Sequence, residues 1–329
     1  MSTATVSNAF NRPDQLSAKL RERILREAGE LGYHGPNLAA RTLRRGESEV
    51  IGVMLLDSLK YSLSDPVANQ LLQGIAEVLV ERDKHMLLLS NRMSATQQRG
   101  AESLPDGFIF YGAINQSSLE YIIKTGKPVV VVDSQYNGTA SVNIDNEKGA
   151  YSIAKHALQR EDARAAILGL RLIESNRVCR LTAADLNTES KEVSHSRLSG
   201  YLKAAAELNC DIAVQNIWHV PLNESGFAEI AVKEALNTHP RPNVLLCMSD
   251  IIALSAMRVA KEMNLRIPED ISITGFDDIP ESARAEPPLT TVCQQSIEKG
   301  RVAARLLLDG TGKENVVLET RLVLRSSTI

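Results

Sequence analysis

Four cysteines occur in 329 residues, and no two of them stand close together. Cys179, Cys210, Cys247 and Cys293 form no CxxC, and no Cys/His cluster has zinc spacing. The expectation is buried free thiols in a reducing compartment. Long apolar runs are missing as well. Nothing approaches the ~20 residues a membrane span needs, and the polar start lacks the apolar segment of a secretory leader. Both absences point to a cytoplasmic protein with no membrane partner. Catalytic signatures are absent too: there is no G-x-S-x-G, no Walker A, no H-E-x-x-H, and no G-x-G-x-x-G opening a helix after a strand. An enzymatic activity, a cofactor and a metal site are therefore not expected.

What is present is a globular composition, 43% hydrophobic and 23% charged, in a chain long enough for two or three cores. The net charge of -3 is unevenly spread. Residues 1–46 hold eight Lys/Arg against four Asp/Glu, so a basic head precedes an acidic body. Such a head is suited to a polyanion, or is simply a basic surface.

From Val50 onward, short apolar runs alternate with amphipathic stretches. Strands are expected at VIGVML (50–55), MLLL (86–89), GFIFY (107–111), PVVVVD (128–133) and SVNID (141–145). Helices are expected at 65–82, 118–126 and 147–160. The pattern then restarts with strands at 164–170, 217–220, 243–248 and 271–278, and helices at 195–209, 224–237 and 250–264. A short extended run at 289–293, a helix at 296–310 and strands at 316–319 and 321–325 close the chain. Residues 173–194 are polar and weakly periodic and read as a loop. Strand–helix alternation implies an α/β fold of two doubly wound lobes with parallel sheets.

The two halves echo each other. Strand, Asp133, loop, SVNID, Glu147-Lys148-Gly149 and helix match strand, Asp277, loop, LTTVC, Glu298-Lys299-Gly300 and helix. Lobes joined by several crossovers leave a cleft, and ligands bind outside the carboxyl ends of parallel strands. Lobes of approximately 49–145 plus 278–295, and 146–277 plus 296–315, are expected, with the last strands crossing between them.

At the head, Ser2 is positioned to cap a short helix to about Phe10, and Ser17 to cap a second that closes at Gly32. The stretch TVSNAFNRPDQLSAKLRERILREAGELGYHGPNLAARTLRRG resembles the DNA-binding head and hinge of the lactose-repressor (LacI/GalR) family of bacterial transcription regulators. VIGVML, RLSGYLKAA and PEDISITGFDDIPESARAEPPLTTV extend the resemblance along the body. It is weakest at 92–104 and 173–194. It implies a partial helix-turn-helix head over 1–36, a hinge over 37–48 and a two-lobed effector-binding and dimerising body over 49–329. Thr3 and Ala4 would face base edges with Asn8 one turn on, and Thr5, Ser7 and Asn11 would hold phosphates. Asn37, Ala40 and Leu43 would belong to the hinge, with Leu43 wedged into the minor groove. The family's first helix and turn would lie before Met1. The head is thus expected to be truncated, its recognition helix without a packing partner and its DNA binding poor.

The same resemblance places Arg197 and Asp277 as the pair that holds effector hydroxyls, with Asp133 in the parallel position of the first lobe. Ser249, Gln294, Tyr61, Ser64 and Asp65 complete the expected effector site. Each has a plainer role open to it. Arg197 and Asp277 could be a structural salt bridge, Ser64 an N-cap, and Asp250 the cap of its helix. Trp218 reads as core. The expected partners are operator DNA, a sugar-like effector and a second copy of the chain. The alternative is a solute-binding protein or an effector sensor that does not bind DNA.

Overall fold

The computed structural model describes residues 2–33, 47–55, 58–90, 104–112, 116–187, 192–310 and 313–329, and the expected hinge residues Asn37, Ala40 and Leu43 lie outside them. In the head, α1 (Thr3–Asn11) and α2 (Ala18–Glu30) flank a 3-10 turn at Pro13–Gln15. Ser2 caps α1, its hydroxyl accepting the Thr5 N–H at 3.2 Å. Helix α2 ends where Gly32 takes φ 69°, with Tyr33 N–H bonding to the Ala28 carbonyl and Gly32 N–H to the Gly29 carbonyl. That pattern satisfies the last carbonyls and needs a residue tolerant of positive φ.

The recognition-helix candidate does have a partner. Ala9 is fully buried against α2, together with Ile24 and Ala28. Arg21 Nε donates to the Ala9 carbonyl at 3.1 Å, and the Phe10 ring meets Tyr33 edge-on. Tertiary contact with α2 supplies what a nine-residue helix lacks alone.

The first lobe contains β1 (Val50–Leu55), α3 (Leu59–Ser64), α4 (Pro66–Glu81), β2 (His85–Ser90), β3 (Gly107–Tyr111), α5 (Gln116–Lys124), β4 (Val129–Val132) and β5 (Ala140–Ile144). The chain then crosses to a second lobe. This holds α6 (Asn146–Ala157), β6 (Ala165–Gly169), β7 (Cys179–Arg180), α7 (Val193–Glu207), β8 (Ile217–His219), α8 (Ser225–Leu236), β9 (Val244–Cys247), α9 (Asp250–Glu262), β10 (Ser272–Thr274), α10 (Pro280–Arg284) and β11 (Thr291–Cys293). Finally come α11 (Ser296–Asp309), β12 (Asn315–Leu318) and β13 (Arg321–Val323).

The first sheet runs β12-β5-β4-β3-β1-β2, all parallel. The second runs β10-β9-β6-β8-β7, parallel except for β7 at the edge. Alternation along the strands explains the layers. Ile51, Val53 and Leu55 of β1 face a core shared with Leu71 and Ile75 of α4 and Ala303 and Ala304 of α11. Met54 joins Phe108, Leu119 and Ile122 on the opposite face. In the second lobe, Ile167 packs with α6 and α7 residues, and Leu168 with those of α8 and α9.

The expected division of the returning segments is corrected. Helix α11 packs on α4 and β12 pairs with β5, so 296–318 completes the first lobe. Residues 278–293 stay with the second: Gly275 N–H bonds to the Thr290 carbonyl, and Ile279 N–H to the Asp250 carboxylate. The chain crosses at 144–146, at 293–296 and again at 318–321, after which β13 pairs with β11. The expectation placed the last two segments each in the wrong lobe, because local periodicity does not say which sheet a strand joins. Two further expectations are revised. The 173–194 stretch carries the edge strand β7, antiparallel to β8. Only Cys247 is fully buried; Cys179, Cys210 and Cys293 are half-buried thiols.

Two glycines let α4 and α11 touch backbone to backbone. A Cβ on Gly74 would sit 1.9 Å from the Ile297 carbonyl oxygen, and one on Gly300 2.2 Å from that of Leu71. Gly74→Ala is therefore expected to cost at least about 2 kcal/mol, lowering the melting temperature by about 2–4 °C per kcal/mol. Gly226→Ala, at a position with nothing within 4 Å, should leave it unchanged. Thermal unfolding followed by circular dichroism distinguishes the two, and equal melting temperatures would contradict the packing argument.

Candidate functional site

Both sheets direct strand ends toward the region between the lobes, and the polar residues gather there. Asp133 follows β4 with φ 55°, and Asp277 follows β10 with φ 128°. Backbone in these regions is costly for residues other than glycine and persists where the surroundings hold it. In both cases the side chain is gripped.

The grip is one continuous series of hydrogen bonds. Lys299, on α11 and completely buried, donates to both oxygens of Asp133 at 2.9 and 2.7 Å. It also donates to Gln294 Oε1 at 2.7 Å. Gln294 Nε2 donates to Asp277 Oδ1 at 2.7 Å. Arg197, on α7 and only 3% exposed, approaches the same oxygen at 3.4 Å. Its Nε donates to Asn146 Oδ1 at 3.0 Å and its Nη1 to the Met248 carbonyl. Its guanidinium lies 3.6 Å from the Phe276 ring centroid, where cation and π-face attract. The series starts in the first lobe, passes through the crossover at Gln294 and ends in the second.

Burial pushes the Asp277 carboxyl well above its usual range, against the pull of Arg197; Asp250 and Asp65 push the same way and Lys299 opposes. Tyr111, at the end of β3, has its phenol pushed up by burial and then by Asp65, Asp133 and Asp277, with Arg197 opposing. The hydrogen bonds bring Asp133, Arg197, Asp277 and Gln294 together, and Asp65 lies near enough to bear on Asp277 and Tyr111.

The other expected residues are more ordinary. Asp65, not Ser64, caps α4, accepting the Val67 N–H at 3.1 Å. Ser64 donates its hydroxyl to the Tyr61 carbonyl at 2.8 Å. Tyr61 lies on α3, one turn before Asp65. Ser249 is fully buried; it caps α9 and donates to Asn223 Oδ1 at 2.6 Å, so its hydroxyl is committed. The expected capping role of Asp250 is thus Ser249's. The buried Asp250 carboxylate instead accepts from Ile279 N–H at 2.9 Å, Ser282 Oγ at 2.7 Å and Thr291 Oγ1, fastening the loop that follows Asp277. Trp218 is core, with Nε1 donating to Glu234 at 3.1 Å.

Sequence reasoning missed Lys299 and Tyr111. Lys299 had a signal. It falls among the buried positions Ser296, Lys299, Gly300, Ala303, Ala304 and Leu307, a lysine on the apolar stripe of its helix. Its counterpart in the echo, Lys148, is exposed, although the glycine that follows each lysine is buried. Among the described residues no three His, Cys, Asp or Glu side chains gather as a metal site.

In the head, Thr3 and Ala4 are exposed on the first turn of α1, while Thr5, Ser7 and Asn8 are half-buried. The Ser2 hydroxyl lies 2.8 Å from Thr5 Oγ1. The Asn11 side chain lies outside the described residues.

Comparison with known proteins agrees with the fold. A family model described as a periplasmic binding protein-like domain matches residues 176–328. An HTH-type transcriptional regulator of Mycobacterium tuberculosis is 34% identical over 319 residues, covering 94% of this chain and 87% of its own length. The HTH-type transcriptional regulator IpsA of Corynebacterium glutamicum is 31% identical, over 98% of this chain and 91% of its own. The crystal structure of a LacI-family transcriptional regulator from Corynebacterium glutamicum superposes with a TM-score of 0.75 at 28% identity, covering 100% of this chain and 96% of that one. With a small helical head before two parallel-sheet lobes, and relatives similar along nearly the whole length, the chain belongs to the LacI/GalR family of helix-turn-helix transcriptional regulators.

Proposed function

We propose that this protein is a DNA-binding transcriptional regulator whose operator affinity is set by a small, hydroxyl-rich effector held between the lobes. The observation that carries the reading is the hydrogen-bonded series from Asp133 to Arg197, which crosses the cleft at the carboxyl ends of both sheets. Carboxylates and a forked guanidinium suit vicinal hydroxyls, as in a sugar. An effector touching both Asp133 and the Arg197–Asp277 pair favours one lobe arrangement, and that preference is linked to DNA affinity. Thr3, Ala4 and Asn8 are the base-reading candidates on α1, with Thr5, Ser7 and Asn11 toward phosphates. Asn37, Ala40 and Leu43 are the hinge candidates.

The body has a route to the head. The Asp106 carboxylate accepts from Ser48 N–H at 2.7 Å, Ser48 Oγ at 2.9 Å and Glu49 N–H at 2.8 Å. It thereby clamps the chain arriving from the hinge to the start of β3, whose far end is Tyr111 in the cleft. A homodimer in the cytoplasm is part of the reading. Leu254 and Met257 of α9 line a shallow surface depression with Arg258, Lys261 and Ala285, which supports α9 as a subunit face. No described helix is long and apolar enough to cross a membrane. No catalytic role is assigned, since Asp133 and Asp277 are already engaged by Lys299, Gln294 and Arg197.

Fluorescence anisotropy on the DNA upstream of its own gene tests the reading. The wild-type protein should bind specifically, and its effector should change that affinity by about 5–150-fold. Arg197→Ala should abolish the effector response and leave effector-free DNA binding in place. Effector binding with no DNA binding under any condition would instead support a sensor. Asn8→Ala should weaken specific binding by about 1–3 kcal/mol and leave binding to scrambled DNA unchanged. Asp106→Ala should leave effector affinity intact but diminish the effector's influence on DNA; an unchanged influence would show that the clamp is not on the route.

A further inference from the structure

The middle crossover turns on two residues. Cys293 belongs to the second lobe, where it forms a bridge with Asp277 and pairs with Arg321 of β13. Ser296 already belongs to α11, which packs on α4 of the first lobe. Gln294 and Gln295 are therefore the turn between the lobes. Gln295 stands at φ 55° and ψ 44°, a left-handed conformation that costs a residue with a Cβ and that a hinge residue can leave. Both glutamine side chains are tied down. Gln295 Nε2 donates to the Glu319 carbonyl of the third crossover at 2.7 Å. Gln294, only 3% exposed, accepts from Lys299 Nζ and donates to Asp277 Oδ1, each at 2.7 Å.

The two bonds of Gln294 lead to different lobes. Lys299 lies on α11, just beyond the turn, and grips Asp133 at the end of β4, so it moves with the first lobe. Asp277 moves with the second. Its N–H bonds to the Val292 carbonyl at 2.8 Å, and Arg197 of α7 approaches its Oδ1 while Arg197 Nε holds Asn146 of the first crossover. Rotation about 294–295 thus pulls the amide between its two partners. We propose that the Gln294–Asp277 hydrogen bond is a latch that holds the lobes in this arrangement, and that Lys299 is the positioning residue that keeps the latch set. An ammonium only donates, so it retains the amide oxygen and leaves the NH₂ for Asp277. Either protonation state of the Asp277 carboxyl leaves an oxygen to accept it. When the lobes part, the bond to Asp277 yields and the amide stays with Lys299, ready to re-form the contact. Without Lys299 the amide turns freely and meets Asp277 only part of the time. The latch is made by the lobes and their crossovers, and so stands whether or not the cleft takes an effector.

Single-molecule energy transfer on the full chain, with no sugar added, tests the latch. Dyes are carried by noncanonical residues at exposed Glu81 in the first lobe and exposed Lys233 in the second. Labelled chains are diluted into unlabelled protein, and circular dichroism verifies folding. The wild type should show one dominant population. Gln294→Leu should raise a second population about 10-fold. Lys299→Met should do the same, and the double variant no more than either alone, because both cut one series of bonds. Lys299→Gln, which keeps a donor, should fall between wild type and Lys299→Met. Gln295→Gly accepts φ 55° and leaves Gln294 tied, so it should keep the wild-type distribution. A wild-type distribution in Gln294→Leu overturns the latch. A shift in Gln295→Gly as large as that in Gln294→Leu also overturns it, since the backbone of the turn would then hold the lobes. A purely structural Lys299 would give a lower melting temperature with an unchanged distribution in both of its variants, which overturns its positioning role.

Discussion

An ammonium group taken out of water keeps its charge only where an anion and acceptors replace the water. Lys299 meets that condition with one carboxylate and one amide oxygen, and much of the cleft follows from it. Asp133 must stand at the end of β4 in a left-handed backbone conformation to reach it. Gln294 must point its oxygen inward from the crossover, which turns its NH₂ on Asp277. Asp277 then has one oxygen shared with Arg197 and one open. The arrangement therefore links a strand end of each lobe through the segment on which the lobes would turn.

That geometry depends on how closely α11 lies against α4. Position 299 reaches Asp133 because Gly74 and Gly300 allow the two helices to touch through their backbones. A methyl group at either position would displace the helix by a sizeable fraction of an ångström, and hydrogen bonds of 2.7–2.9 Å lose strength over such distances. A close approach of helices is usually read as a stability feature. Here it also sets the reach of a buried cation. The second lobe repeats the device with Gly200 on α7, where a Cβ would sit 2.3 Å from the Glu147 carbonyl of α6. There the adjacent lysine, Lys148, is exposed. The same helix-packing solution serves both lobes, and each buries a cation beside it: Lys299 next to Gly300 in the first, and Arg197 one turn before Gly200 in the second.

Most of the elements were legible because their periodicity is strong. The continuous Val129–Val132 run and the amphipathic Pro66–Glu81 segment fall where their patterns place them. The acidic strand ends were legible as well, since a charged residue directly after an apolar run marks a strand leaving the core. Other features depend on tertiary context. Which sheet receives the Asn315–Leu318 strand is set by pairing with Ala140–Ile144, and no local pattern encodes that. The Cys179–Arg180 strand is two residues long, and the loop before it is held by His219, whose Nδ1 accepts from Leu172 N–H at 3.0 Å and whose Nε2 pairs with the Ser175 carbonyl. Ser249 and Asp250 are adjacent and both of a capping type, so the choice between them rested on whether the carboxylate had better partners elsewhere. It had three, and a Cβ at Gly275 would stand 2.1 Å from it. Lys299 was legible in principle, as the one charged residue on an apolar stripe, but its partner lies 166 positions away in the chain.

The same strand connects recognition to response in the regulator reading. Asp106 grips Ser48 and Glu49 before β3 begins, and Tyr111 ends β3 among the cleft carboxylates. A central strand paired on both sides is stiff, and β3 lies between β4 and β1. The chain leading from the head is thus fixed to the first lobe as to a rigid body. An effector has little scope to alter the head by bending that lobe. In the proposed reading it acts by changing where the whole first lobe lies relative to the second, and so where the two heads of the proposed dimer stand relative to each other. Three crossover segments, at 144–146, 293–296 and 318–321, permit that movement. Only the middle one carries Gln294, tied at once to Lys299 in one lobe and Asp277 in the other. In that reading, lobe rotation strains or reorients the amide, and the crossover, not either lobe, is where effector binding would be converted into movement.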